Sequence, residues 1–223
     1  MTDTTRPQER DFSEMLTKDN AALVMIDHQA GLMLFPGDID PSALRINAIA
    51  LARTAKLFNL PVVLSAADQG AKGPIGPIIP EIKEELFPNV EVIYRTKINS
   101  WYEPAIREAI EATGRKKLIF AGITADFCAG LPAKSAAAAG YDVRLVMDAS
   151  GNLNPMVLQT TIASLTQAGV VCTNWLSVLA ELLGDWTSPE AEGVLDIYKT
   201  HLPNWSMFDI IDQTKQKMAA NAS

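Results

Sequence analysis

Six short, largely apolar runs, each too brief for a helix and all but the second followed by a helical pattern, constrain this chain more than any other feature. The first, Ala21-Ala22-Leu23-Val24-Met25-Ile26, is apolar at every position. That is how a strand buried on both faces of a parallel sheet reads. Residues 61–66, 90–94, 118–122, 143–147 and 170–173 give the other five. Between them lie helical patterns. One opens at Pro41, and the next runs from about 103 to 113. A third follows Cys128 as far as Gly140, and two more cover about 155–168 and 175–183. Gly114, Gly140 and Gly169 supply stop signals. Such alternation implies a three-layer α/β/α, doubly wound six-stranded parallel sheet, and right-handed crossovers favour the order 3-2-1-4-5-6. One domain is expected, with its core over about 20–183. Residues 1–18 form an arm and 184–223 a C-terminal extension.

In that order strands 1 and 4 are neighbours where the winding reverses, and ligands bind beyond the carboxyl ends of the strands at such a point. Asp27 follows strand 1 and Cys128 follows strand 4, so topology places residues distant in sequence side by side. Lys97 follows strand 3 on the same edge. A cysteine at a helix start lies among unpaired N–H groups at the positive end of the helix dipole, which favours the reactive thiolate. The duller reading of a free cysteine is a small buried hydrophobe, and Cys172 reads that way. Asp148 and Ser150, at the end of strand 5, read as caps of a turn or helix. His28 points away from Asp27 and reads as local structure. Gln29, Phe35, Asn99 and Trp101 are the candidates for contacting a substrate.

The net charge of −7 argues against nucleic acid as a partner, because phosphate binding needs clustered Lys and Arg. Two cysteines and two histidines, scattered along the chain, match no zinc-site spacing and suggest no structural disulfide. No metal and no cofactor is called for, since the Gly- and Pro-rich loop 68–77 lacks phosphate-binding spacings. No apolar run approaches the roughly 18 residues of a membrane span. The polar start of the chain lacks a signal-peptide block, so a cytoplasmic location is expected. The tail carries Trp186, Tyr198, Trp205 and Phe208. Two readings of it stand: it wraps its own domain, or it docks on a neighbouring subunit.

Three motifs, in order and on the right strands, carry a resemblance. They are Leu23-Val24-Met25-Ile26-Asp27-His28-Gln29, then Lys97-Ile98-Asn99-Ser100-Trp101, then Gly122 to Cys128 with its Ala-rich helix. The chain resembles the isochorismatase-like cysteine hydrolases over roughly residues 20–183. Within them it is most similar to the YcaC-like hydrolases, on Asp27-His28-Gln29-Ala30-Gly31-Leu32, Asp148-Ala149-Ser150-Gly151 and His201-Leu202-Pro203. That branch is described as octameric hydrolases of unsettled substrate.

The resemblance implies a triad of Asp27, Lys97 and Cys128. It also implies a cis peptide between Ile123 and Thr124, and an oxyanion hole from the N–H groups of Thr124 and Cys128. The expected activity is a cysteine hydrolase acting through a thioester on a small amide or related acyl compound. Two alternatives stand beside it: a vinyl-ether hydrolase of isochorismatase type that uses Asp27 without the thiol, or a catalytically silent binding or structural member of the fold. The chain departs from the nicotinamidases, which carry an Asp and two His as metal ligands after strand 2; here Asp68 and Gln69 stand there with no histidine. A homo-oligomer, an octamer by resemblance, is the expected assembly.

Overall fold

The structure is a computed structural model that describes residues 14–67, 73–202 and 204–220. Residues 1–13 of the expected arm, Asp68 and Gln69 with the rest of segment 68–72, and Pro203 lie outside the described residues. The strands are β1 (Ala21–Ile26), β2 (Val62–Ala67), β3 (Val92–Arg95), β4 (Lys117–Gly122), β5 (Asp142–Val146) and β6 (Val171–Thr173). All pair in parallel, in the order β3-β2-β1-β4-β5-β6, which is the expected doubly wound sheet. β1 and β4 are buried along their whole length at the centre of this sheet; both are apolar throughout except for Lys117 at the start of β4, whose ammonium pairs with Asp142.

Helices cover both faces. On one side pack α1 (Pro41–Leu57), α5 (Trp175–Leu183) and α6 (Ala191–His201), over alternate residues Leu23 and Met25 of β1. On the other side α2 (Pro104–Ala112), α3 (Gly130–Ala138) and α4 (Pro155–Gln167) cover Ala22, Val24 and Ile26. Side chains that alternate across a strand therefore feed two separate apolar layers. Local chemistry fixes where the helices begin. Asp40 accepts from Ser42 N and Ala43 N with Pro41 in the first turn of α1, while Asn154 and Asn174 cap α4 and α5.

The first half of the tail takes one of the two roles read for it. α6 packs on its own domain through Val194, Ile197 and Tyr198, and Trp205 packs at a tilt against Tyr198 with ring centroids 4.9 Å apart. Beyond it α7 (Ser206–Ala220) leaves Met207, Phe208, Ile210, Ile211 and Met218 exposed. One stretch carries structure that the sequence reading did not assign: Glu81–Leu86 forms a short π-helical segment after Pro80.

The carboxyl ends of β1 and β4 approach closely. Ile123 N donates to Ile26 O at 3.1 Å, and a Cβ placed on Gly122 would lie 2.6 Å from that same oxygen. Only a glycine lets the two strand ends, and the residues after them, sit this near. Gly122→Ala should therefore cost about 1–3 kcal/mol of stability, the usual range for overpacking a tight interior, read as a lower urea midpoint at unchanged slope.

Candidate active site

At the end of β1 the chain turns sharply. Asp27 has φ of +60°, a left-handed conformation that Asp tolerates better than most residues with a Cβ. Its N–H donates to Ser65 O at 2.8 Å, and its side chain is fully buried. At the edge of the sheet β3 ends in Arg95, paired in register with Ala67 of β2. Because Ala67 is small, the long Arg95 side chain can cross the end of β2 and reach Asp27. Nε donates to Oδ1 at 3.2 Å and Nη2 to Oδ2. Nη2 also donates to Cys128 Sγ at 3.0 Å, and Asp27 lies within hydrogen-bonding reach of the same thiol. The remaining group, Nη1, donates to Lys97 O at 2.7 Å and Ile98 O at 3.3 Å. All five guanidinium N–H groups are thereby engaged.

Asp27 and Cys128 are brought together, as the topology requires. Lys97 is not brought to them. Its ammonium is exposed and donates to Tyr102 O at 2.6 Å, and the cation position expected for it is occupied by Arg95. The reason is reach: Lys97 lies past the end of β3, where the chain has already turned toward the 3-10 turn Ser100–Tyr102. Arg95 was missed from sequence, although a cation closing an otherwise apolar edge strand was a usable signal.

The thiol also differs from its expectation. α3 starts at Gly130, so Cys128 stands two residues before the first helical residue instead of in the first turn. Burial pushes its titration up to about 12; the Asp27 charge adds to the rise and Arg95 opposes it. Desolvation thus outweighs the helix end, and the resting group is a neutral thiol. Burial works against the Arg95 guanidinium too, yet its hydrogen bonds and charge contacts with Asp27 and Cys128 prevail and hold it above its ordinary value.

The Ile123–Thr124 peptide bond is cis. The backbone N–H groups of Thr124 and Cys128 donate to no carbonyl or side chain among the described residues, whereas Ala125 N and Ala129 N are engaged with Gly151 O and Thr124 O. The Thr124 hydroxyl donates to the Asp126 carboxylate.

A cavity of about 410 Å³ opens onto Cys128, Asp27 and Arg95, and is walled by Leu32, Phe35, Ala67, Ile75, Thr96, Ile98, Ile123 and Phe127. Of the four residues expected to touch a substrate, only Phe35 lines it. Trp101 is buried in the core against Tyr141, with ring centroids 5.9 Å apart. The Asn99 amide donates to Ser135 Oγ and its carbonyl caps Trp101 N. Gln29 braces the wall: Oε1 accepts from Ala67 N at 2.9 Å while Nε2 donates to Gly76 O at 2.7 Å. Asp148 and Ser150 are structural, accepting from Trp175 N and from Gly122 N. Among the described residues no group of three or more His, Cys, Asp or Glu is gathered as metal ligands, and no helix is long and apolar enough to cross a membrane.

His28, beside Asp27, turns into the protein and shares its Nε2 with Ala149 O at 2.9 Å. Burial lowers its pKa from 6.5 to about 4, against that hydrogen bond. A depressed histidine contributes stability that is fully present above pH 6.5 and is lost as pH falls through 4. The loss amounts to about 3 kcal/mol over that window. The carboxyl of Asp148, raised to about 6 by burial, works in the opposite sense between 3.8 and 6. Subtracting the stability of His28→Leu from that of the parent at each pH cancels Asp148, and the difference should shrink by about 3 kcal/mol between pH 7 and pH 4. A second titration concerns the thiol. Asp27→Asn removes the charge that raises Cys128, so ultraviolet thiolate absorbance should appear at lower pH in that variant than in the parent.

Comparisons with known proteins give the family and the fold. The family model described as Isochorismatase domain matches residues 21–176. The Escherichia coli protein called probable hydrolase YcaC is 38% identical over 207 residues, 91% of this chain and 97% of that protein. Its crystal structure, described as an octameric hydrolase of unknown specificity, superposes with a TM-score of 0.85. The structural alignment is 35% identical and covers 94% of this chain and 99% of that one. YcaC from Pseudomonas aeruginosa, solved with hexane-2,5-diol and covalent acrylamide, gives 0.84 at 39% identity over 91% and 98% of the two chains.

Proposed function

The chain belongs to the isochorismatase family, and from that premise we propose that it is a cysteine hydrolase acting on the C–N bond of a small amide or a related acyl compound. The observation that carries this reading is the contact of one buried thiol with both a carboxylate and a guanidinium at the mouth of a cavity. The resting thiol is neutral, so the nucleophile forms only as it attacks. Asp27 takes the S–H proton while Sγ bonds to the substrate carbonyl carbon. Arg95 holds the carboxylate in place and its Nη2–H stabilises the charge growing on sulfur.

The carbonyl oxygen becomes an oxyanion, and the otherwise uncommitted N–H groups of Thr124 and Cys128 are the donors we assign to it; one such donor is worth about 3–4 kcal/mol. The C–N bond then breaks and the amine leaves with the proton from Asp27. Water, deprotonated by Asp27, attacks the thioester, and the C–S bond breaks to regenerate the thiol. Asp27, Arg95 and Cys128 form the working set, with Arg95 in the role the resemblance gave to Lys97.

An oligomer fits this reading. The E. coli relative is an octamer, and α7 presents an uncovered apolar face of the kind that marks interfaces. We propose a homo-oligomer for this chain as well.

Incubation with a panel of small amides, followed by intact mass spectrometry, should reveal an acyl adduct on Cys128 that is absent in Cys128→Ala. If Cys128→Ser instead keeps turnover of a vinyl ether, the thiol mechanism is wrong. Arg95→Met breaks a buried ion pair, a change usually costing about 3–5 kcal/mol, and should lower acylation by about 10²–10³-fold. Lys97→Met should leave acylation within about threefold of the parent, since its ammonium lies outside the site.

A further inference from the structure

The same cavity carries information about what the substrate can be. Resting on the hydrolase reading, we infer that the natural substrate is uncharged, with a small apolar acyl group next to the scissile bond. The first support is the accounting of donors. Arg95 is the only cationic side chain lining the cavity among the described residues, and each of its five N–H groups already has an acceptor: Asp27, Cys128, Lys97 O and Ile98 O. A substrate carboxylate could recruit the guanidinium only by stripping Asp27 or Cys128 of a partner. It would also stand beside the fully buried Asp27 carboxylate, where like charges repel more strongly than in bulk water.

The second support is the wall. Apart from Thr96, the lining beyond the reacting groups is Leu32, Phe35, Ala67, Ile75, Ile98, Ile123 and Phe127, apolar throughout. A charged substituent placed against these side chains would lose its hydration without gaining a partner, and burial of a charge on such terms is costly. A cationic substituent fares no better, since the one carboxylate lining the cavity among the described residues is committed to Arg95. At about 410 Å³ the cavity lies near the lower end of the range for small-molecule sites. A short aliphatic or single-ring carboxamide matches that space and surface. An isochorismate-type dianion does not.

Two alkylating agents of nearly equal size isolate this property from turnover. Iodoacetamide is neutral and iodoacetate anionic, and each transfers its methylene carbon to Sγ with loss of iodide, the thiol proton passing to Asp27 and then to solvent. The full-length protein is treated with each in turn, and alkylation of Cys128 is followed by peptide mapping, so that the partly exposed Cys172 is scored separately. Rates are normalised to glutathione. The inference expects Cys128 to favour iodoacetamide over iodoacetate by at least about 20-fold beyond the glutathione ratio. It also expects butyramide to protect Cys128 where succinamate of similar length does not. In Ile98→Lys, which adds a cation at the rim, the iodoacetamide preference should fall several-fold.

A normalised ratio near one, or protection by succinamate equal to that by butyramide, would overturn it. Those results leave the thioester chemistry standing if acyl adducts still form. Conversely, a strong neutral preference without any acyl adduct would sink the hydrolase reading and leave the apolar pocket in place.

Discussion

The site depends on a single buried ion pair. Asp27 and Arg95 come from strands that are not neighbours, and both are removed from water. Neither could be buried alone without a large desolvation cost, and an isolated buried charge of this kind commonly destabilises a protein by several kcal/mol. Each therefore requires the other, and the requirement explains other choices in the chain. Ala67 must be small so that Arg95 can pass over β2. Lys97 and Ile98 must turn their carbonyls inward to receive Nη1. Asp27 must adopt positive φ so that its carboxylate points along the sheet edge instead of into a layer of the core.

The pair also sets the character of the thiol. A cysteine activated in advance would be a thiolate at rest, open to alkylation and oxidation by whatever entered the cavity. Here burial and the Asp27 charge keep the proton on sulfur, and Arg95 offers charge stabilisation that becomes fully useful only once the proton has left. In the proposed mechanism the nucleophile is thus made on demand, by a base already within reach. Such an arrangement discriminates between an electrophile that is held in line for attack and one that merely collides.

Much of this was legible in the amino-acid sequence. The alternation of short apolar runs with capped helices dictated the sheet order, and the sheet order placed Asp27 beside Cys128. What could not be read was the direction of side chains at the rim. Lys97 and Arg95 are two residues apart and carry the same charge, and a strand boundary read only to within a residue or two cannot say which of them still lies on the strand. Asn99 and Trp101 looked available because polar and aromatic residues near a strand end are common ligand contacts. Their hydrogen bonds and packing are committed to the 3-10 turn and the core instead. Desolvation of Cys128 was equally hidden, since burial is a property of the whole fold and a helix-start motif is local.

One detail of the cavity wall bears on how such proteins diversify. The Gln29 side chain bonds Ala67 N and Gly76 O at once, fastening both ends of the segment between them to the residue two places after the proposed base. A segment clamped at its base can change length or composition with little effect on the frame, because loop-closure entropy rises only by about 0.6 kcal/mol for each doubling of length. Ala67 and Ile75, at and next to the two clamped positions, line the cavity wall. The chemistry and the choice of molecule are thereby placed on separate parts of the chain, so that new substrates can be explored by rewriting one loop while Asp27, Arg95 and Cys128 stay where they are.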